Sequence, residues 1–245
     1  MIRTLVFIAA GLLTMVLGCG VFQRKLLYYP THDDETHGLA VWQHDGRLIG
    51  YVREVASPVN VWLLLHGNGG QASDRIYALP AFSDQDAVFI LEYPGYGPRP
   101  GSPSMKSINE AAFEAYMLLR ARFPQTPVCV VGESIGNGPA AKLAESPQPP
   151  AKLVLIVPFD ILARVAAHHY PFLPTGLLLW DNWNNIRALA GYKGPVEMFG
   201  ARDDQIIPIE HARALAASIP GARFHEIDGG HNDWAVPGRV WIRNP

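Results

Sequence analysis

The sequence predicts an α/β fold in which a mostly parallel central sheet is flanked by helices, with a small lid inserted late in the chain. Three observations predict it. From Arg47 onward, short apolar runs alternate with helical patterns, the rhythm of strand–helix–strand units. The run Pro127 to Val131 is apolar throughout, as a strand buried on both faces must be. The 245 residues, 49% hydrophobic and 17% charged, suffice for one domain with a substantial core. A formal net charge of -2 supplies no basic stripe, which argues against a nucleic-acid partner.

Residues 1–22 stand apart from the domain expected over 23–245. They read MIRTLVFIAAGLLTMVLGCGVF, with Arg3 as an early cation, and Arg24 and Lys25 close the apolar run. This is the pattern of a signal peptide or a membrane anchor. Thr4 to Phe22 is 19 residues long, within the roughly 17–25 that span a bilayer. Val16-Leu17-Gly18-Cys19 also resembles a bacterial lipoprotein box, in which Cys19 is lipidated. Both forms of attachment stay open, and either puts the chain at a bacterial cell envelope.

Leu48 to Val55 and Asn60 to Leu65 read as the first strands, separated by Ser57-Pro58. Ala87 to Glu92 is the next, and Pro98 to Pro103 is loop by its Pro and Gly content. A helix is expected from Ser107, with Glu110 completing a capping box and Ile108, Ala112, Ala115 and Leu119 forming its buried stripe. Pro127 to Val131 is a central strand whose Cys129 reads as an inert buried thiol. A helix with Ala140, Ala141 and Ala144 follows, and Lys152 to Val157 is another buried strand.

The stretch Phe159 to Tyr192 breaks the alternation. It carries Pro171, Pro174, Tyr170, Phe172, Trp180 and Trp183, too long for a connection and too apolar for a linker. It is expected to be the lid, over about 159–192. Pro195 to Phe199 and Arg223 to Ile227 are the last strands, with a helix over Ile209 to Ile219 between them.

Gly132-Glu133-Ser134-Ile135-Gly136 falls directly after a buried strand and before a helix, where a sharp turn holds a serine hydroxyl exposed. A serine is a poor nucleophile until a base takes its proton. His231 supplies one, in the glycine-rich loop Gly229-Gly230-His231-Asn232-Asp233 after the last strand. The imidazole in turn needs a carboxylate. Asp204, before Gln205-Ile206-Ile207-Pro208, is preferred; Asp203 and Asp160 are competitors. The glycines of His66-Gly67-Asn68-Gly69-Gly70 free backbone amides to face a ligand. The N–H groups of Asn68 and Ile135 are therefore the candidates for an oxyanion hole. His66 itself reads as structural.

The segments HGNGG, EYPGYG, GESIGNGPA, DDQIIP and GGHND, in that order, resemble the α/β-hydrolase superfamily. More narrowly they resemble its small-cap, membrane-associated branch of depalmitoylase-like and bacterial esterase-like proteins. FQRKLLYYPT and YPFLPTGLLLWDNWN share that resemblance, which runs from about Phe22 to Trp234. It implies Ser134, Asp204 and His231 as the triad. Two departures stand out. One residue more separates Gly200 from Asp204 than in the branch, which keeps Asp203 in play; and only fourteen residues follow His231, too few for the usual closing helix.

The function expected is a serine hydrolase acting on carboxylic esters or thioesters through an acyl-enzyme, with a small-molecule or acyl ester as substrate. No metal or cofactor is implied, since no His/Cys/Asp/Glu set has ligand spacing. The alternatives are a serine peptidase of the same fold and a non-catalytic envelope binding protein.

Overall fold

The computed structural model describes residues 23–243. The expectations for 1–22, Cys19 included, lie outside the described residues. Among those residues, no helix is long and apolar enough to cross a membrane.

The chain opens with helix α1 (23–27) and an extended stretch, then forms eight strands in one sheet. These are β1 (Ala40–His44), β2 (Arg47–Arg53), β3 (Val61–Leu65), β4 (Ala87–Leu91), β5 (Val128–Glu133), β6 (Leu153–Ile156), β7 (Val196–Ala201) and β8 (Arg223–Ile227). Their order is β1-β2-β4-β3-β5-β6-β7-β8. The β1–β2 and β2–β4 pairings are antiparallel and all others parallel. The sheet is therefore mostly parallel, as predicted.

Alternate residues of each central strand enter different cores. Leu63, Leu65, Val130 and Leu155 pack on one face, while Trp62, Leu64, Val131 and Val154 pack on the other. That two-sided burial is why these strands lack a polar alternation. Cys129 is buried in β5, and burial pushes its thiol up to about 12, consistent with an inert thiol.

Helix α2 (Met105–Arg122) buries Ile108, Ala112, Ala115 and Leu119, as its stripe predicts. Its start is a correction. Ser104, not Ser107, caps the helix, its hydroxyl accepting the Ser107 N–H at 3.0 Å. Ser107 turns its own hydroxyl back to the Ser102 carbonyl and is no cap for Glu110. Helix α3 (Asn137–Leu143) follows the serine turn, and α7 (Ile209–Ser218) lies between β7 and β8.

Two elements escape the sequence reading. Strand β1 is an edge strand with one buried residue in five, too exposed to give an apolar signal. The 3-10 segment Ala72–Ala81 carries Pro80 and no clear apolar period. The 159–192 stretch folds as α4 (Leu162–His169), α5 (Thr175–Leu178) and α6 (Asn185–Leu189). Its ends belong to the core, because Phe159, Trp183 and Leu189 are buried there. Its middle is exposed.

Candidate active site

β3, β5, β7 and β8 run parallel, so the loops leaving their carboxyl ends gather at one edge of the sheet. His66–Gly70, Ser134, Asp204 and His231 all lie on those loops.

Ser134 leaves β5 with φ of 53°, a left-handed conformation that costs a side-chain-bearing residue energy. The flanking glycines make the turn sterically possible. A Cβ on Gly132 would lie 2.7 Å from Asn137 Cα, and one on Gly136 would collide with the Leu65 carbonyl. Asn137 secures the far side, its amide donating to the Ser134 and Ile156 carbonyls at 2.7 and 2.8 Å.

The structure brings the serine, the histidine and one of the three carboxylates into a single chain of hydrogen bonds. Ser134 Oγ is 2.9 Å from His231 Nε2, and His231 Nδ1 is 2.7 Å from Asp204 Oδ2. A carboxylate can only accept, which puts the ring proton on Nδ1 and leaves Nε2 to accept from the serine hydroxyl. The second oxygen of Asp204 accepts the N–H groups of Ile206 and Ile207 at 2.8 and 2.7 Å. Those bonds fix the carboxylate's direction. The competitors are elsewhere: Asp203 is exposed, and Asp160 binds His211 at 2.8 Å and Arg164 at 2.7 Å. His66 is buried and stacked on Tyr93, away from the serine's hydrogen-bond chain.

A cleft of about 600 Å³ lies beside Ser134 and His231, walled by Gly67–Gly70, Arg75, Tyr77, Glu133, Asn232, Ala235 and Val236. The glycine loop is held from behind. Arg75 Nη2 donates to the Gly67 and Gly69 carbonyls at 3.1 and 2.7 Å, while the Gly67 N–H donates to Glu133 at 2.9 Å. The Asn68 side chain is anchored by the Tyr29 N–H at 3.0 Å and the Tyr96 hydroxyl at 2.9 Å, and it donates to the Leu27 carbonyl. The Asn68 backbone N–H keeps no acceptor among the described residues. The Ile135 N–H heads the 3-10 turn Ser134–Gly136, where first-turn amides have no partner within the helix.

Glu133, Arg75, Tyr77 and Trp234 form a buried network that motif reading misses. Glu133 accepts from Arg75 Nε at 3.1 Å, the Tyr77 hydroxyl at 3.0 Å and Trp234 Nε1 at 3.3 Å. Burial alone would push its carboxyl up. The Arg75 guanidinium and the Gly67 N–H beside it win, and hold it below the usual value. The available signal was a carboxylate directly ending an apolar strand, a place where a charge demands a partner.

His231 is braced without a long closing helix. Among the described residues only the short turn Asp233–Ala235 follows it, and Trp234 in that turn is buried against Tyr77. The remaining tail packs back on the fold, with Val240 and Ile242 buried.

No family model matches the chain. An uncharacterized protein of Mycobacterium tuberculosis strain CDC 1551 is 31% identical over 253 residues, 96% of this chain and 89% of that protein. The lysophosphatidylserine lipase ABHD12 of Macaca fascicularis is 26% identical over 227 residues, 80% of this chain and 56% of the lipase. The chain thus spans little more than half of that relative's length. Among solved structures, the esterase Pf2001 of Pyrococcus furiosus superposes with a TM-score of 0.65 at 13% identity, over 85% of this chain and 93% of the esterase.

Proposed function

We propose that the chain, which has the α/β-hydrolase fold, is an ester hydrolase that cleaves carboxylic esters or thioesters through an acyl-enzyme on Ser134. The observation that carries the proposal is the unbroken hydrogen-bonded chain Ser134–His231–Asp204 beside an open cleft. The Ser134 oxygen attacks the substrate carbonyl while His231 Nε2 takes its proton. Asp204 keeps the imidazole in the tautomer that can accept that proton and stabilises the resulting cation. The Asn68 and Ile135 amides receive the charge that builds on the carbonyl oxygen. His231 then returns the proton to the departing alcohol or thiol. A water, deprotonated by the same nitrogen, cleaves the acyl-enzyme and restores the serine.

Acyl chains or other apolar esters are the substrate class this reading favours. The apolar 159–192 stretch acts as the lid, and the lipase named among the relatives supports the choice. Residues 1–22 attach the chain to a bacterial cell envelope, through lipidated Cys19 or an uncleaved anchor, by the composition of that run. Mass spectrometry of the mature N-terminus decides between these, because an intact Met1 rules out lipoprotein processing.

The test of the activity is labelling with a fluorophosphonate probe. Wild type should be labelled and Ser134→Ala should not. A folded wild type that stays unlabelled removes the proposal.

A further inference from the structure

The middle of the 159–192 stretch presents an apolar face that nothing in the described chain covers. Phe172 is 97% exposed, Leu177 81% and Trp180 49%, with Tyr170 and Leu173 exposed between them. Contiguous apolar exposure on this scale marks an interaction site. The face stands on a built framework. The Thr175 hydroxyl donates to the Ala163 carbonyl at 2.8 Å and ties α5 to α4. The Ala163 N–H donates to Asn182 at 2.9 Å, tying α4 to the stretch that follows α5.

Two further observations say what covers it. The chain's longest apolar run, the 19 residues Thr4–Phe22, ends at Gln23. The Gln23 side chain accepts the Trp180 N–H at 2.8 Å. Asp181 next door takes Arg24 at 3.2 Å and the Tyr28 hydroxyl at 2.9 Å. The described chain thus begins at the edge of the exposed face. Leu26, 73% exposed, extends that face, and the exposed cations Arg24 and Lys25 border it. An apolar patch rimmed by cations suits a phospholipid surface, where rings and leucines enter the acyl boundary and cations stay among phosphates.

We propose that the face formed by Phe172, Leu177, Trp180 and Leu26 docks on a lipid bilayer, as a second membrane contact in addition to residues 1–22. The proposal rests on the reading of that run as membrane-attached. Docking bears on the site, because the segment behind Leu26 also holds Asn68 through the Tyr29 N–H.

The test uses the full chain reconstituted in phosphatidylcholine vesicles with brominated acyl chains, which quench tryptophans at the acyl boundary. The chain has six tryptophans, so Trp180→Phe serves as the reference that isolates the emission of Trp180. Docking at an interfacial depth predicts a loss of about half or more of that emission. The double variant Phe172→Ser with Leu177→Ser, its folding checked by thermal melting, should lose most of the quenching. Three results overturn the proposal. The protein can float with the vesicles while Trp180 remains open to aqueous acrylamide, which leaves the attachment through residues 1–22 standing. Trp180 can be shielded from both quenchers, which gives the face to a second copy of the chain. Failure to float at all removes both the docking and the attachment. Fluorophosphonate labelling of Ser134 on the same sample reports the active site separately.

Discussion

The carboxylate of Glu133 accepts the backbone N–H of Gly67 at 2.9 Å, joining the residue before Ser134 to the loop that carries Asn68. Both also bind Arg75, through Glu133 Oε2 and the Gly67 carbonyl, so a single buried cation fixes the spacing between the serine turn and the glycine loop. Glu133→Gln keeps the shape and an acceptor for Gly67 but leaves Arg75 buried without its counter-charge. Breaking a buried pair from one side costs about 3 kcal/mol, so the denaturant midpoint should fall accordingly. The glycine loop should loosen with it, lowering kcat about tenfold with little change in KM, because positioning acts on the reacting geometry. An unchanged kcat would separate the network from the site.

Acid should destabilise the fold through the same carboxylates. Burial pushes Glu133 and Glu197 up, but Arg75 and Lys152 respectively overcome it and hold both below their usual 4.5. Asp160, also opposed by burial, is held down to about 2 by its bonds to His211 and Arg164. Each group binds fewer protons folded than unfolded in this range, so its contribution is present above its unfolded value and is lost as pH falls through its folded value. The denaturant midpoint should be level near neutrality and decline below about pH 4.5. Glu133→Gln should make that decline shallower. A midpoint that stays level to pH 3 would contradict the argument.

Much of this arrangement was legible in the sequence because its signals are local. Ser134 sits between glycines that the backbone needs, and three of the four loops follow buried apolar strands, whereas Arg223–Ile227 before the His231 loop is mostly exposed. Asp204 is preferred over Asp203 without being fixed, since adjacent carboxylates differ only in the direction a turn gives them. Here the Ile206 and Ile207 amides provide that direction. Arg75 and Trp234 were invisible for another reason. Their partner Glu133 lies 58 and 101 residues away, and no short-range pattern encodes such a meeting.

Asp204 and Asp203 can be told apart by kinetics. Asp204→Asn should reduce kcat by about 10⁴-fold, because an amide at that place no longer holds the imidazole in the accepting tautomer. Asp203 is exposed, and the hydrogen bond it makes at this turn comes from its backbone N–H, which donates to the Gly229 carbonyl at 3.0 Å. Asp203→Asn should therefore stay within about twofold of wild type, as surface changes away from special features do. Equal losses in the two variants would return the acid to dispute.

The backbone of Ser134 makes the last prediction, on stability alone. Its φ of 53° is one that glycine adopts freely and that costs a residue with a Cβ about 1–3 kcal/mol. Ser134→Ala keeps the Cβ and hence the strain, whereas Ser134→Gly releases it. Glycine also loses more freedom on folding, which offsets roughly 0.5–1 kcal/mol of that release. The strain is the larger quantity, so Ser134→Gly should exceed Ser134→Ala in stability by about 1 kcal/mol in denaturant unfolding, although neither has a nucleophile. If the alanine variant proved as stable as the glycine variant, the turn would hold its serine without strain. The serine's exposure would then rest on the packing of Gly132 and Gly136 alone.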